Sequence, residues 1–486
     1  MRNKSLKINT ILNAVRMLLT VLVPLITFPY TSRIFQTDGS GEISFVQSVV
    51  QIFTLFASLG IYGYGLREGA KVRNDKQKFS KLALELFIIN LTATILTYII
   101  FIIMINTYTP FSASKELFLI HGLVIGFTAL GLDWVFGAYE DYMYITIRQI
   151  VLQIFVVIAM LVFIHSKEDI FIWMTILTIS SVGSNIFNFI YARRFISFSK
   201  RTKLEIKRHI KPILILFATA LASRTYLNLD TLLLGIQTTA HNVGVYSAAV
   251  KMNTVLITMF SAMSPVFMPR LIDDMAKQDK NAYYLLMTKI FRLILSMCIP
   301  VVIGLEMVSK ELIYILAGAA FSDAVVTMRI LVPIVLVCSC TNILYYNVLV
   351  PSGKEDCVLK CTIIGSAVNF IISVLLIPNM KENGVAIGSL ISELTALIMA
   401  FGYCKKVDGE IMKTIPSVFN YILGGIGIGL CCGFVHILSQ NDIVTLTVCI
   451  VLSIIVYCGI IYIRKDEMVA EGIGVLKSFT HRLKKR

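Results

Sequence analysis

Long apolar runs recur from one end of this 486-residue chain to the other. A helix needs about 20 apolar residues to cross the hydrocarbon core of a bilayer, and these runs are long enough. Only 15% of the residues are charged, whereas average soluble domains carry about 25%. The runs are unbroken rather than alternating, which excludes a membrane β-barrel. The sequence therefore predicts an all-α polytopic membrane protein.

The apolar runs define fourteen predicted spans. Their approximate limits are 9–35, 43–66, 82–105, 117–139, 147–165, 170–191, 213–236, 243–268, 283–308, 324–350, 358–377, 384–404, 416–439 and 443–463. Segments on the side of the amino terminus hold about 32 Lys and Arg residues, and segments on the other side hold about four. Since basic residues concentrate in cytoplasmic loops, we expect both termini to be cytoplasmic and the net charge of +15 to reflect topology.

A basic linker, residues 193–212, divides the predicted spans into two groups. We expect an amino-terminal lobe of spans 1–6 over residues 1–192 and a carboxy-terminal lobe of spans 7–12 over residues 213–404. Spans 13 and 14, over residues 405–463, and a basic cytoplasmic tail, 464–486, follow. The motif that begins at Gly41 recurs at Gly244, an offset of about 203 residues, with a weaker echo at Gly384. Because six is an even number, these lobes are expected to be parallel repeats.

Polar residues form a column at helical spacing on four of the predicted spans. The columns are Asn13, Arg16, Thr20, Pro24, Thr27 and Thr31 on span 1; Ser44, Gln47, Gln51, Thr54 and Ser58 on span 2; Thr219, Ser223, Tyr226 and Asp230 on span 7; and Ser247, Lys251, Thr254, Thr258 and Ser261 on span 8. The alternative is that each column is a dry helix contact, as Ser and Thr often make in membranes. We interpret the four columns as the lining of one polar cavity.

The charges in these helices predict the ligand of that cavity. Arg16 and Arg224 lie about 12 Å from one membrane face, Lys251 and Asp230 lie at a similar depth from the other, and Arg33 is near the outer mouth. Cations outnumber anions, which favours an anionic ligand, and the planar guanidinium group suits phosphate. Lys251 and Asp230 could instead form a structural ion pair. Among the other charged residues, the mid-span Glu393 is the best candidate for a coupling or gating role beside Asp230.

Other chemistry is sparse in the sequence. There is no Walker motif, no HExxH motif and no CxxC pair, so neither a metal site nor a catalytic constellation is expected, and the chain is not predicted to be an enzyme. The basic linker is expected to touch anionic lipid headgroups rather than nucleic acid. Gly425, Gly429 and Gly433 repeat every four residues and predict a face of close helix packing.

Several longer motifs resemble the bacterial flippases of polysaccharide repeat units, the O-antigen and capsule transporters of the multidrug/oligosaccharidyl-lipid/polysaccharide (MOP) superfamily. The motifs are Leu25-Ile-Thr-Phe-Pro-Tyr-Thr-Ser-Arg33, Leu59-Gly-Ile-Tyr-Gly-Tyr-Gly-Leu-Arg-Glu68, Gly131-Leu-Asp-Trp-Val-Phe136, Glu140-Asp-Tyr-Met-Tyr-Ile-Thr-Ile-Arg148, Asp230-Thr-Leu-Leu-Leu-Gly235 and Pro351-Ser-Gly-Lys354. The resemblance covers nearly the whole chain. Phe136-Gly-Ala138 departs from the aromatic-Gln-Gly that is usual in the family.

The resemblance implies a V-shaped transporter with spans 1, 2, 7 and 8 around the cavity, in the bacterial plasma membrane. Its expected substrate is an undecaprenyl-pyrophosphate-linked oligosaccharide, moved to the outer leaflet without a cofactor. By similarity, Arg16 and Lys251 take the place of cavity arginines in the peptidoglycan-precursor flippases, and spans 13 and 14 hold the lipid tail. The family also implies H⁺ or Na⁺ coupling, contact with membrane lipids and cooperation with a polysaccharide polymerase.

Two other classes share some of these features. A cation-coupled multidrug exporter would have the same fold, but it would favour acidic residues in its cavity. A membrane-embedded glycosyltransferase or polymerase would need a large outer loop or a cluster of acidic residues, and no predicted outer loop here exceeds about 15 residues.

Overall fold

The computed structural model describes residues 6–112, 114–197, 204–277, 279–439 and 441–465, and within these ranges the side chains of 6–22, 219–220, 222–228 and 265 are not described. The described residues form fifteen α-helices joined by short 3₁₀ and π-helical turns, without a strand. Ten helical stretches among them are long and apolar enough to cross a membrane. The prediction of an all-α multi-pass membrane protein is therefore confirmed.

The chain forms two compact units, Met1–Ser247 and Ala248–Arg486. The helices of the first unit are α1 (Leu6–Ser58), α2 (Ile61–Val72), α3 (Lys76–Thr107), α4 (Lys115–Gly126), α5 (Asp133–Ala138), α6 (Tyr142–Phe163), α7 (Ile170–Ala192) and α8 (Lys207–Gln237). The boundary falls within α9 (Ala240–Ser261). The second unit continues with α10 (Ser264–Ala276), α11 (Lys280–Leu316), α12 (Ala324–Leu344), a π-helical turn (Tyr345–Leu349), α13 (Glu355–Val407), α14 (Phe419–Leu438) and α15 (Asp442–Ile463).

Two of the predicted loops are reduced to a single break within a long helix. In α1 the break is at Gln36, with φ 55° and ψ −162°, between predicted spans 1 and 2. In α13 it is at Lys381, with φ 49° and ψ −125°, between predicted spans 11 and 12. Positive φ is costly for a residue with a side chain, so tertiary contacts must hold each break. At the first break, the Lys167 ammonium group donates a hydrogen bond to the Gln36 side chain at 2.5 Å.

Three predicted spans are interrupted rather than continuous. Span 2 ends at Ser58, because Leu59 and Gly60 both adopt positive φ before α2 begins. Span 4 is divided into α4, a 3₁₀ turn and α5. Span 8 is divided into α9 and α10, and α10 begins with a proline in its first turn, where a missing N–H is tolerated.

Glycines allow close packing in each unit. In the first unit, Trp134 of α5 is 2% exposed, and a methyl group at Gly65 would lie 2.6 Å from its indole ring. In the second unit, a methyl group at Gly424 would lie 2.6 Å from the Tyr457 ring, whereas Gly429 and Gly433 face open space. The predicted packing face of α14 was therefore wrong in its four-residue spacing, because the close contacts are made by Gly424, Gly425 and Gly427.

Candidate functional site

The polar column of the second half of α1 is most exposed at its middle, at Gln51. Ser44 is 8% exposed, Gln47 is half-buried and Gln51 is exposed. Thr54 and Ser58 are half-buried and donate to carbonyl oxygens of their own helix. An exposed amide on a membrane helix is costly against lipid, so Gln51 is best placed against water or a polar ligand.

The column of α9 shows the same gradient. Ser247 is 7% exposed, Lys251 is half-buried, and Thr254 and Thr258 are exposed. At the end of the column, the Ser261 hydroxyl accepts a hydrogen bond from Asn342 at 2.7 Å. In both columns the residue that follows a predicted outer loop is buried, and the exposed residues lie farther along, before a half-buried final serine.

The first column is described only in part. Thr27 and Thr31 are buried, and each hydroxyl donates to a carbonyl of the preceding helical turn at 3.0 Å. Arg33 is exposed. Arg16 lies in α1, but its side chain is outside the described residues, as is that of Arg224 in α8.

Asp230, the first candidate for coupling, lies near the end of α8 and is 7% exposed. The Tyr246 hydroxyl donates a hydrogen bond to its Oδ2 at 2.7 Å. This bond joins α8 to α9 across the predicted outer loop. The predicted pairing of Asp230 with Lys251 stays a prediction.

Glu393, the second candidate for coupling, is half-buried in α13. Its carboxyl group lies near the Cys338 thiol and near Tyr345 of the π-helical turn. π-Helical turns often mark functional sites in α-helices. In the described ranges, no group of three or more His, Cys, Asp or Glu side chains could hold a metal ion.

The sequence reasoning missed a buried ionic cluster, which we name the linker clamp: Lys81, Glu85, Glu205, Arg208 and His209. Glu85 of α3 is 0% exposed. Its carboxylate accepts hydrogen bonds from the Glu205 backbone N–H at 2.6 Å, from Arg208 at 3.0 Å and from His209 Nε2 at 2.8 Å. Lys81 donates to the Glu205 carboxylate at 2.9 Å. The clamp fixes the start of α8, which carries Arg224 and Asp230, to α3.

Both ring nitrogens of His209 have partners within the clamp. Nε2 lies 2.8 Å from the Glu85 carboxylate and 3.1 Å from Nε of Arg208. Nδ1 lies 2.7 Å from the Tyr64 hydroxyl. Tyr64 belongs to α2, so three helices meet at one buried histidine. The signal in the sequence was the Lys81/Glu85 pair at i,i+4, which indicates only a helix-surface pair.

A second ionic network crosses α5, α6 and α7. Arg148 donates to Asp133 at 3.0 Å and also to the buried Asn188 side chain. The Arg148 side chain is 10% exposed, and its guanidinium carbon lies 5.8 Å from the centre of the Tyr144 ring. This network closes the point at which predicted span 4 is interrupted.

The chain is similar to known proteins of polysaccharide biosynthesis. The sequence profile of the family described as "Polysaccharide biosynthesis protein" matches residues 6–275, more than half of the chain. The chain belongs to this family. A curated relative from Escherichia coli (strain K12), named "Putative O-antigen transporter", is 21% identical over 408 residues, which cover 82% of this chain and 96% of the relative.

Solved structures share the fold. The lipid II flippase MurJ in an inward closed conformation matches with a TM-score of 0.75 and 14% identity, over 94% of this chain and 100% of MurJ. An inward-facing multidrug resistance transporter of the MATE family, in the MOP superfamily, matches with a TM-score of 0.59 and 14% identity, over 82% of this chain and 100% of the transporter. The chain therefore shares the fold of MurJ and of this MATE-family transporter.

Proposed function

We propose that this protein is a flippase that moves undecaprenyl-pyrophosphate-linked oligosaccharide repeat units from the cytoplasmic to the outer leaflet for the synthesis of a surface polysaccharide. Membership of the polysaccharide biosynthesis family is the observation that carries the proposal. The exposed polar faces of α1 and α9 support it, because a large hydrophilic headgroup must be shielded from lipid on its way across.

The proposed architecture has fourteen spans with both termini in the cytoplasm. Spans 1–6 and 7–12 form the two parallel repeats, and spans 13 and 14 follow them. The excess of about 28 basic residues on one side supports the orientation. The two single-residue breaks in α1 and α13 support counting each of these helices as two spans.

The proposed substrate contacts come from the polar columns. Arg16 and Arg224 bind the pyrophosphate through paired hydrogen bonds, Lys251 adds a third cation, and Arg33 meets the headgroup at the outer mouth. Gln47 and Gln51 bind sugar hydroxyls. Their graded exposure supports these roles, since the more exposed Gln51 would meet the substrate first.

Transport would proceed by alternating access, with the polar faces open first to the cytoplasm and then to the outside. An H⁺ or Na⁺ gradient would supply the free energy. Asp230 and Glu393 are the proposed coupling residues, because each is a carboxyl group held away from bulk water by a neighbouring hydrogen-bonding side chain.

Substitution of Arg16 tests the proposed binding site in cells. We expect Arg16→Ala to abolish surface polymer at unchanged protein level and Arg16→Lys to retain part of it, because lysine keeps the charge but loses the paired geometry. Lys115→Ala, at an exposed position in a predicted outer loop, is the matched control and should export normally. Normal polymer export by a fully expressed Arg16→Ala protein would contradict the role of Arg16.

A cation-coupled multidrug exporter is the second candidate, because the MATE transporter shares this fold. The two functions predict different effects on drug resistance and on surface polymer. Drug resistance on overexpression, with surface polymer unaffected by deletion, would select the exporter. Loss of polymer on deletion, restored by the wild-type chain, would select the flippase.

A further inference from the structure

The two corners that follow predicted spans 1 and 7 are related by the internal repeat. The first corner, residues 36–41, contains the break at Gln36, where φ is 55°. The second corner, residues 238–244, begins where α8 ends at an extended Thr238. Thr37 and Ala240, like Gly41 and Gly244, are separated by the repeat offset of about 203 residues.

The structure brings these repeat-related residues into a reciprocal contact. A methyl group at Gly41 would lie 2.7 Å from the Ala240 carbonyl carbon and closer still to the oxygen. A methyl group at Gly244 would lie 2.8 Å from the Thr37 carbonyl carbon, again with the oxygen closer. Carbon atoms in contact normally lie about 3.5–4.0 Å apart. Each glycine therefore allows the backbone of the opposite corner to approach where no side chain would fit.

Other contacts hold the corners together. His241 Nδ1 lies 2.9 Å from the Thr37 hydroxyl in a hydrogen bond, and Thr37 is 6% exposed. Beside the corners, α8 also packs closely on α1: a methyl group at Gly235 would lie 2.8 Å from Cγ of the Phe45 ring. A hydrogen bond and close van der Waals packing therefore join the two corners, and His241 Nδ1 lies 4.0 Å from the Asp38 carboxylate.

The polar columns close toward these corners. Ser44 and Ser247, the first residues of their columns after the corners, are buried, whereas Gln51 and Thr254 are exposed. The corner contact therefore lies at the closed end of both polar faces. Packing of glycine against backbone can separate and re-form at a lower cost than a buried ion pair.

We propose that Gly41 and Gly244 form a reciprocal glycine gate, which closes the outer end of the polar faces and separates once in each transport cycle. The link to a transport cycle rests on the proposed function, but the existence of an open and a closed state does not. Because each glycine meets backbone rather than a flexible side chain, alanine at either position should prevent full closure and hold the polar faces open at the corner.

The test measures the opening of the gate by thiol labelling. Ser44→Cys is the reporter in a Cys458→Ser background, which removes the exposed native cysteine. The full-length protein in membranes open on both sides is treated with an impermeant maleimide. We expect Gly41→Ala and Gly244→Ala each to raise the labelling rate about 5- to 150-fold, as over-packing of a two-state contact predicts. His241→Ala, which removes the hydrogen bond to Thr37 but places no methyl group between the two backbones, should raise it less.

Gly304→Ala and Gly402→Ala are the matched controls, because a methyl group there meets nothing within 4 Å. Unchanged labelling in the folded Gly41→Ala, Gly244→Ala and His241→Ala proteins would overturn the gate, and so would an equal rise in the controls. If one glycine variant does not fold, the other glycine and His241→Ala still decide the question. The labelling needs no substrate. A wild-type protein that moves no lipid-linked sugar would overturn the proposed function, while selective labelling of the glycine variants would still support the gate.

Discussion

Replacement of Glu85 by glutamine tests the linker clamp with a minimal change of shape. The carboxylate accepts three hydrogen bonds with no exposure to water. In Glu85→Gln the amide oxygen can still accept from Glu205, but the amide N–H₂ cannot accept from Arg208, so that bond is lost. His209 keeps a bond to the amide N–H₂ only in the tautomer whose Nε2 accepts, in which Nδ1–H donates to the Tyr64 hydroxyl.

The expected loss of stability depends on whether Arg208 and His209 can find other hydrogen-bond partners after the substitution. A hydrogen bond to a charged group contributes about 1.5–3 kcal/mol. Arg208 is half exposed and regains water, whereas His209 is 3% exposed and exchanges a bond to a charged carboxylate for one to a neutral amide. We therefore expect Glu85→Gln to lower the free energy of unfolding of the first unit by about 1.5–3 kcal/mol. For a unit of about 250 residues this lowers Tm by about 3–12 °C.

Thermal unfolding of the purified protein in detergent measures the shift. Glu140→Gln is the control, because Glu140 makes an ion pair of 2.7 Å with Arg73 at an exposed site. Exposed pairs contribute about 0–1 kcal/mol, so its Tm should fall by less than about 4 °C. A Glu85→Gln shift no larger than that of Glu140→Gln would refute the buried clamp.

Three further predictions concern the first unit. Gly65→Ala should destabilise it by about 1–3 kcal/mol through over-packing, measured as a fall in Tm, whereas Gly63→Ala, which faces open space, should not destabilise it. Arg148→Met should cost about 1–3 kcal/mol, mainly because the buried Asn188 side chain loses its donor, and this loss should appear as a fall in Tm. The hydrogen bond from Lys81 and its positive charge hold the pKa of Glu205 below its usual 4.5. The stabilisation that the ionised Glu205 carboxylate provides is therefore present above pH 4.5 and lost as the pH falls through the lowered pKa. The Tm values of wild type and Glu205→Gln should thus differ at neutral pH and converge on acidification.

The sequence predicted the helical segments well because a membrane helix is specified locally, by its length and apolar composition. The break at Gln36 and the one at Lys381 both fall between predicted spans. The interruptions within spans 2, 4 and 8 were missed because they lie inside apolar stretches. The break near Asp133 depends on Arg148 and Asn188, which come from other helices.

The candidate site was only partly accessible from the sequence. Helical spacing identified the polar columns, but their graded exposure depends on which end of each helix is packed. The i,i+4 spacing of Lys81 and Glu85 was the only sequence signal for the linker clamp, and only the fold brings Glu85 to His209. The repeat predicted that Gly41 and Gly244 are equivalent, but not that each packs against the other's corner. Local pattern specifies which residues share a face, and tertiary packing decides what that face meets.

Flipping in proteoliposomes tests the central claim most directly. Purified protein is reconstituted with a fluorescent undecaprenyl-pyrophosphate oligosaccharide, and exposure of the headgroup on the opposite side is followed with and without an H⁺ or Na⁺ gradient. We expect protein-dependent exposure that is faster with one of the gradients and is lost in Arg16→Ala. Absence of movement for several such lipids, together with gradient-driven uptake of small organic cations by the same vesicles, would contradict the flippase and select the exporter.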